Sequence, residues 1–226
     1  TYFIPLILMI VFSCCATKKI TRETIEWSKF RWEEESARYK PRVLFIGNSI
    51  SVGYFPFVSD MLNGQAYCDH YATSRSVEDP TLYKEIEMAM GNYNHKVIHF
   101  NNGLHGWHLN NTQYEEGLRK CVRFLMKHKT KNCRLIYSLT TPYPSKEPGI
   151  KLDEKMNTVV LERNKIARRI MAEYDIPVID LYNEVEPELE TLSIHKGNVH
   201  YKQEGYEMMA KKIGSKIREM LLADEF

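Results

Sequence analysis

The chain lacks most signatures that would assign its chemistry at once. Five cysteines are present (Cys14, Cys15, Cys68, Cys121 and Cys133), but none forms a C-x-x-C pair, so a dithiol centre or a paired-cysteine zinc site has no support. No P-loop and no G-x-G-x-x-G occurs, which leaves nucleotide phosphates without a glycine-rich cradle. No block of Lys and Arg stands out, and 31 basic residues nearly balance 29 acidic ones to a net charge of +2. The electrostatic footprint of a nucleic-acid partner is therefore missing. No apolar run reaches the roughly 20 residues of a membrane-spanning helix. There is no internal repeat and no low-complexity segment. At 226 residues, 43% hydrophobic and 27% charged, the composition is that of one ordinary globular domain.

The N-terminus departs from this average. Tyr2 to Ala16 reads YFIPLILMIVFSCCA, apolar and uncharged, which fits the core of a signal peptide. Val11-Phe12-Ser13-Cys14 resembles a bacterial lipobox, with Cys14 as the acylated residue and Cys15 as the alternative; a buried strand or helix is the competing reading. Residues 1–16 are thus a signal or lipoprotein segment, and the expected location is the bacterial cell envelope, lipid-anchored and facing the periplasm. The lipid is the only membrane contact implied. Residues 17–40, polar with Trp27, Phe30 and Trp32 spaced through them, predict a linker and a short N-terminal helix. The main domain spans 41–226.

Within that domain, apolar runs alternate with helical patterns. Arg42–Gly47 and Lys96–Asn101 are continuous apolar runs, the mark of strands buried on both faces. A shorter strand is expected over 67–72, and others at Arg134–Leu139 and Ile176–Leu181. Helices are predicted over 53–63, from Pro80 to Met90 with proline in the first turn, along the Tyr114-Leu118-Cys121-Val122-Leu125 face, from Met156 to Tyr174, and from Tyr206 to Met220. Cys121 and Cys133 read as small core residues, although disulfides among the non-lipidated cysteines stay open in an oxidising compartment. Strands alternating with helices imply a parallel sheet covered on both faces, a three-layer α/β/α sandwich with five strands. Active sites of such sheets lie at the carboxyl ends of the strands.

The first strand ends in Gly47-Asn48-Ser49-Ile50-Ser51. A serine between a strand and a helix can be held exposed, with its own N–H toward an incoming oxyanion; serine equally serves as a helix cap. Position 51 is Ser, so this is not the G-x-S-x-G elbow. Near the other terminus, Gly197-Asn198-Val199-His200 precedes the last helix, where a histidine can reach over the carboxyl edge as the base a serine nucleophile needs.

These two segments together resemble the SGNH (GDSL-like) hydrolases. That family's first block reads G-D-S-(L/I), matched here by GNSIS at 47–51 with Asn48 in place of a non-catalytic Asp. Its last block commonly reads D-x-V-H-x(4)-G-Y, matched by NVHYKQEGY at 198–206. The segment Phe100–Trp107 (FNNGLHGW) is similar to the third block, G-x-N-D. The resemblance covers roughly residues 41–222. It implies a flavodoxin-like fold and a serine esterase with Ser49 as nucleophile and His200 as base, needing no metal and no cofactor. It implies oxyanion donors from the Ser49 and Ser74 N–H groups and from Asn101 or His105. The 72–75 region lacks the glycine usual there, and His105 stands where the family has Asn. The family's triad Asp, three residues before the His, is Gly197 here. Three readings stay open: a Ser–His dyad held by a backbone carbonyl, a substitute carboxylate at Asp180 or Glu204, or an impaired enzyme or glycan-binding protein. Exported members resemble carbohydrate esterases, so a glycan O-acetyl ester is the expected substrate, with Arg75, Asn102 and Trp107 as candidate contacts. Trp107, Tyr143 and Tyr54 are otherwise packing residues, and Arg75 and Asp180 have ordinary structural alternatives. A zinc site on His99, His105 and His108 is disfavoured because no carboxylate or cysteine joins them at ligand spacing.

Overall fold

Two strands buried on both faces set the architecture. In a computed structural model, which describes residues 20–223 apart from 35, 37, 92 and 150, Arg42–Gly47 is buried along its whole length. Cys14 and Cys15 lie outside the described residues. In chain order the elements are β1 (Ser28–Arg31), β2 (Arg42–Gly47), α1 (Ser49–Leu62), β3 (Tyr67–Thr73), α2 (Pro80–Met90), β4 (His95–Phe100), α3 (Asn111–His128) and β5 (Arg134–Ser138). They continue with α4 (Glu154–Glu173), β6 (Val178–Ile179), α5 (Leu181–Val185), α6 (Leu189–Leu192) and α7 (Gln203–Leu222). The sheet order is β1-β3-β2-β4-β5-β6. The strands β2 to β6 are mutually parallel, as expected, and β1 adds a sixth, antiparallel edge.

That edge strand replaces the helix expected within 17–40. Phe30 and Trp32 sit two residues apart, the period of a strand face. Phe30 stacks on Tyr71 at 4.9 Å and on Trp32 at 5.7 Å. Pairing with β3 supplies the backbone partners that an isolated four-residue segment lacks. At the opposite edge, the six residues expected as a strand shrink to two. Pro177 brings no N–H to the ladder, and Asp180 already caps α5 by accepting from Asn183 N–H.

Helices α1, α5, α6 and α7 share one apolar core with Val43, Phe45 and Val97; α2, α3 and α4 share the other with Leu44, Ile98 and Leu135. Cys68, Cys121 and Cys133 are free and buried. Among the described residues no helix is long and apolar enough to cross a membrane.

Register aligns the strand ends: Gly47 pairs with Ala72, and Ile46 with Phe100. Residues 48, 74 and 101 therefore follow the strand ends along one carboxyl edge. From β2 the chain passes through α1 to β3 on one side, then through α2 to β4 on the other. The crevice between the ends of β2 and β4 is the topological switch point, where sheets of this kind bind ligands.

Candidate active site

Ser49 opens α1 at that switch point. Asn48 caps the helix, its Oδ1 accepting from Ile50 N–H at 3.0 Å. The helix therefore starts four residues before the predicted position 53. As the first helical residue, Ser49 has no intrahelical partner for its N–H, and the helix dipole places partial positive charge there. Ser49 is half-buried, and among the described residues its hydroxyl has no hydrogen-bond partner. A narrow cleft next to its neighbours, enclosing only about 10 Å³, is lined by Asn48, Ile50, Asn101, Leu104, Thr141 and Leu181, among others.

His200 stands half-buried in the loop before α7. The start of α7 rests on the start of α1: a Cβ on Gly53 would lie 2.1 Å from the Tyr206 ring, so only glycine lets the two first turns meet. Ser49, four residues before Gly53, and His200, six before Tyr206, thus flank one helix–helix contact, and no hydrogen bond joins the two among the described residues. Burial pushes the His200 imidazole below its ordinary pKa of 6.5, which keeps it neutral, the form a base requires.

Neither group expected behind His200, a substitute carboxylate or a backbone carbonyl, is found there among the described residues. Asp180 accepts from Asn183 N–H at 3.0 Å and from Arg168 at 2.5 Å. Glu204 is exposed in the first turn of α7 and makes no hydrogen bond to His200. No backbone carbonyl takes the role either. The side chain of Asn198, two residues before His200, faces Nδ1 at 2.8 Å. Sequence reasoning missed it because the spacing is two rather than three; only the turn at Gly197, φ +70°, brings residue 198 beside the ring.

The expected oxyanion donors fare unevenly. Ser74 N–H donates to Trp27 carbonyl at 3.1 Å and its hydroxyl to Glu26 at 2.7 Å. The N-terminal segment that extends the β1 edge thus takes the backbone donor expected from residue 74. Asn101 Nδ2 donates to Ser138 carbonyl at 2.7 Å, tying β4 to β5 while the residue still borders the crevice. His105 Nδ1 lies 2.7 Å from Glu23 Oε1, and its Nε2 is buried without a hydrogen-bond partner. It is shielded from the crevice's solvent rather than presented to it. Ser49 N–H is the expected donor left uncommitted.

The candidate substrate contacts are also largely consumed. Arg75 is spent on Glu85 at 3.0 Å and Asp79 at 3.3 Å. Asn102 Nδ2 donates to Arg75 carbonyl at 2.9 Å, and its own carbonyl accepts from Tyr114 at 2.7 Å. Trp107 is half-buried, with Tyr143 edge-on at 5.6 Å. It borders a second cavity that the segment Thr21–Glu26 closes over Ser76 and Gly106. His99, His105 and His108 turn to different partners: Ser138, Glu23 and Glu78.

One organiser of this edge had no sequence signal. Arg163, on α4 and 1% exposed, donates to the carbonyls of Gly103 and His105 at 2.9 Å each and of Gly106 at 2.7 Å. Its guanidinium lies between Trp107 and Tyr114, at 5.0 and 4.7 Å. The loop after β4 is held by its backbone, so the pattern of its side chains could not reveal the anchor.

No protein-family model and no curated protein matches the sequence. Solved structures match the fold. A GDSL-like lipase from Bacteroides thetaiotaomicron superposes with a TM-score of 0.59 at 16% identity, over 79% of this chain and 88% of that one. The acetyl xylan esterase AlAXEase gives 0.64 at 18% identity, over 78% and 99%. Axe2, an acetylxylan esterase from Geobacillus stearothermophilus, gives 0.62 at 15% identity, over 80% and 94%. The chain has their α/β/α fold.

Proposed function

We propose that this chain is a serine esterase that removes small O-acyl groups, with acetylated carbohydrate as the substrate class. The observation that carries the reading is an uncommitted serine at a helix N-terminus and at the switch point, with His200 in the loop that leads into the helix packed on it. Ser49 Oγ attacks the ester carbonyl carbon while His200 Nε2 takes the hydroxyl proton. The tetrahedral oxyanion meets Ser49 N–H and the positive end of α1. His200 returns the proton to the leaving alcohol, and water, deprotonated by the same ring, releases the acid and frees Ser49. Two considerations support a small acyl group. The cleft flanking Asn48 and Ile50, the neighbours of Ser49, encloses only about 10 Å³, no room for a long chain. Two of the structural neighbours are acetylxylan esterases.

The test is hydrolysis of p-nitrophenyl acetate and of acetylated xylan fragments beside Ser49→Ala and His200→Ala. The reading expects turnover that both variants abolish. Wild-type turnover no higher than that of Ser49→Ala would leave the second reading, a glycan-binding protein on the same fold, favoured by the filled hydrogen bonds of Ser74 and Arg75. A lipid at Cys14 would tether the domain to the envelope membrane. Labelling with an alkynyl fatty acid, lost in Cys14→Ala, would support this; a label that persists there would point to Cys15.

A further inference from the structure

The loop that carries His200 contains a chain of hydrogen bonds that fixes proton positions. Asn198 Oδ1 accepts from His200 backbone N–H at 2.9 Å. A backbone N–H can only donate, so the amide atom facing it is oxygen. The same oxygen lies 2.8 Å from His200 Nδ1. Oxygen of an amide can only accept, so Nδ1 carries a hydrogen and Nε2 keeps its lone pair. The other end of the amide continues the chain. Asn198 Nδ2 lies 3.0 Å from His195 Nε2, and His195 Nδ1 lies 3.0 Å from the Lys196 carbonyl. That carbonyl requires a hydrogen on His195 Nδ1, which leaves His195 Nε2 to accept from the amide. Every bond runs in one direction, from His200 through Asn198 and His195 to Lys196.

We propose that Asn198 is the positioning residue that makes His200 a base, and that His195 holds the Asn198 amide in the required orientation. This rests on the Ser49–His200 reading. Position 197 is closed to a carboxylate: at φ +70° a Cβ there would lie 2.2 Å from Lys146 Cγ. The left-handed turn that excludes a side chain at 197 also swings residue 198 beside the ring. An amide orients an imidazole but adds no charge to stabilise its cation, which a carboxylate would do. The site therefore holds the correct tautomer of a base already weakened by burial. The charged side chain of Lys146 packs against this turn, beside the titratable ring of His195.

The test pairs ¹⁵N NMR of the imidazoles, in the full chain carrying Ser49→Ala, with kinetics on the otherwise native protein. His200 and His195 should both appear as Nδ1–H tautomers. Asn198→Ala should give His200 a mixture of tautomers and lower kcat by roughly 10²-fold or more. Asn198→Asp should restore kcat and move the acid limb of the pH profile upward, because a carboxylate raises the His200 pKa. His195→Leu should disturb the His200 tautomer with a smaller loss, and it stands in for Asn198→Ala if that variant does not fold. Finding His200 as the Nε2–H tautomer, or finding tautomer and kcat unmoved in Asn198→Ala, would overturn the proposal. If the native chain shows no hydrolysis above Ser49→Ala, the esterase reading falls, and the tautomers alone decide the hydrogen-bond chain.

Discussion

The two edges of the sheet put polar side chains to opposite uses. At the amino edge, Asp69 is fully buried and accepts from Arg42 at 2.6 and 2.9 Å and from Glu33 N–H at 3.0 Å, with His95 Nε2 at 2.9 Å. Arg42 also reaches the carbonyls of Glu33 and Glu34 at 2.6 and 2.8 Å, between the rings of Tyr67 and Tyr93. The carboxylate's capacity is filled, and the group acts as a strut. At the carboxyl edge, Ser49 Oγ has no partner among the described residues, and the His200 ring is bonded there at Nδ1 alone. Chemistry needs capacity left open, and in this molecule it is left open where two helix starts meet.

The sharpest break of that symmetry is Ser49→Ala. Ester hydrolysis should fall by roughly 10³-fold or more, while stability by urea titration stays within about 0.5 kcal/mol, as for an ordinary surface change. Asp69→Ala should do the reverse. Leaving Arg42 buried and unpaired costs about 3–5 kcal/mol, read by the same titration, with kcat per folded molecule retained. An Asp69 variant of native stability would contradict its role as a strut.

Acid should separate the edges further. Burial holds His70 and His99, packed under the carboxyl edge, at pKa values of about 3 against an ordinary 6.5. Below pH 6.5 the unfolded chain takes up these protons and the folded chain does not. Stability should therefore decline between pH 6.5 and 3, on the order of 1 kcal/mol per pH unit for each ring. His99→Gln should flatten the slope; an unchanged slope in that variant would show that other groups carry it. The smallest effect is expected from Gly197→Asp. Positive φ and contact with Lys146 should cost about 1–3 kcal/mol of stability without a gain in rate. A faster enzyme would show that the loop re-forms around a carboxylate at 197.

Much of this frame was legible because burial on both faces leaves a strong pattern. Arg42–Gly47 and Pro80–Met90 match the predicted elements at both ends. The errors are those of tertiary context. Trp27, Phe30 and Trp32, spaced through a polar stretch, suggested a linker and a short helix, whereas Phe30 lies in a strand and stacks on both Tyr71 and Trp32. Motif order pointed to Ser49 and His200, and the structure sets Ser49 at the start of α1 and His200 in the loop before α7. The contact of Asn198 with His200 was not legible, because it depends on the backbone turn at Gly197. The loss of the Ser74 donor was not either, because Trp27 takes it from 47 residues away.

The most direct test of the central claim is covalent labelling of the native chain by a fluorophosphonate, with the modified peptide identified by mass spectrometry. An activated nucleophile predicts a single adduct on Ser49, absent in Ser49→Ala and strongly slowed in His200→Ala. An unlabelled protein, or one labelled at a rate indifferent to His200, would contradict it.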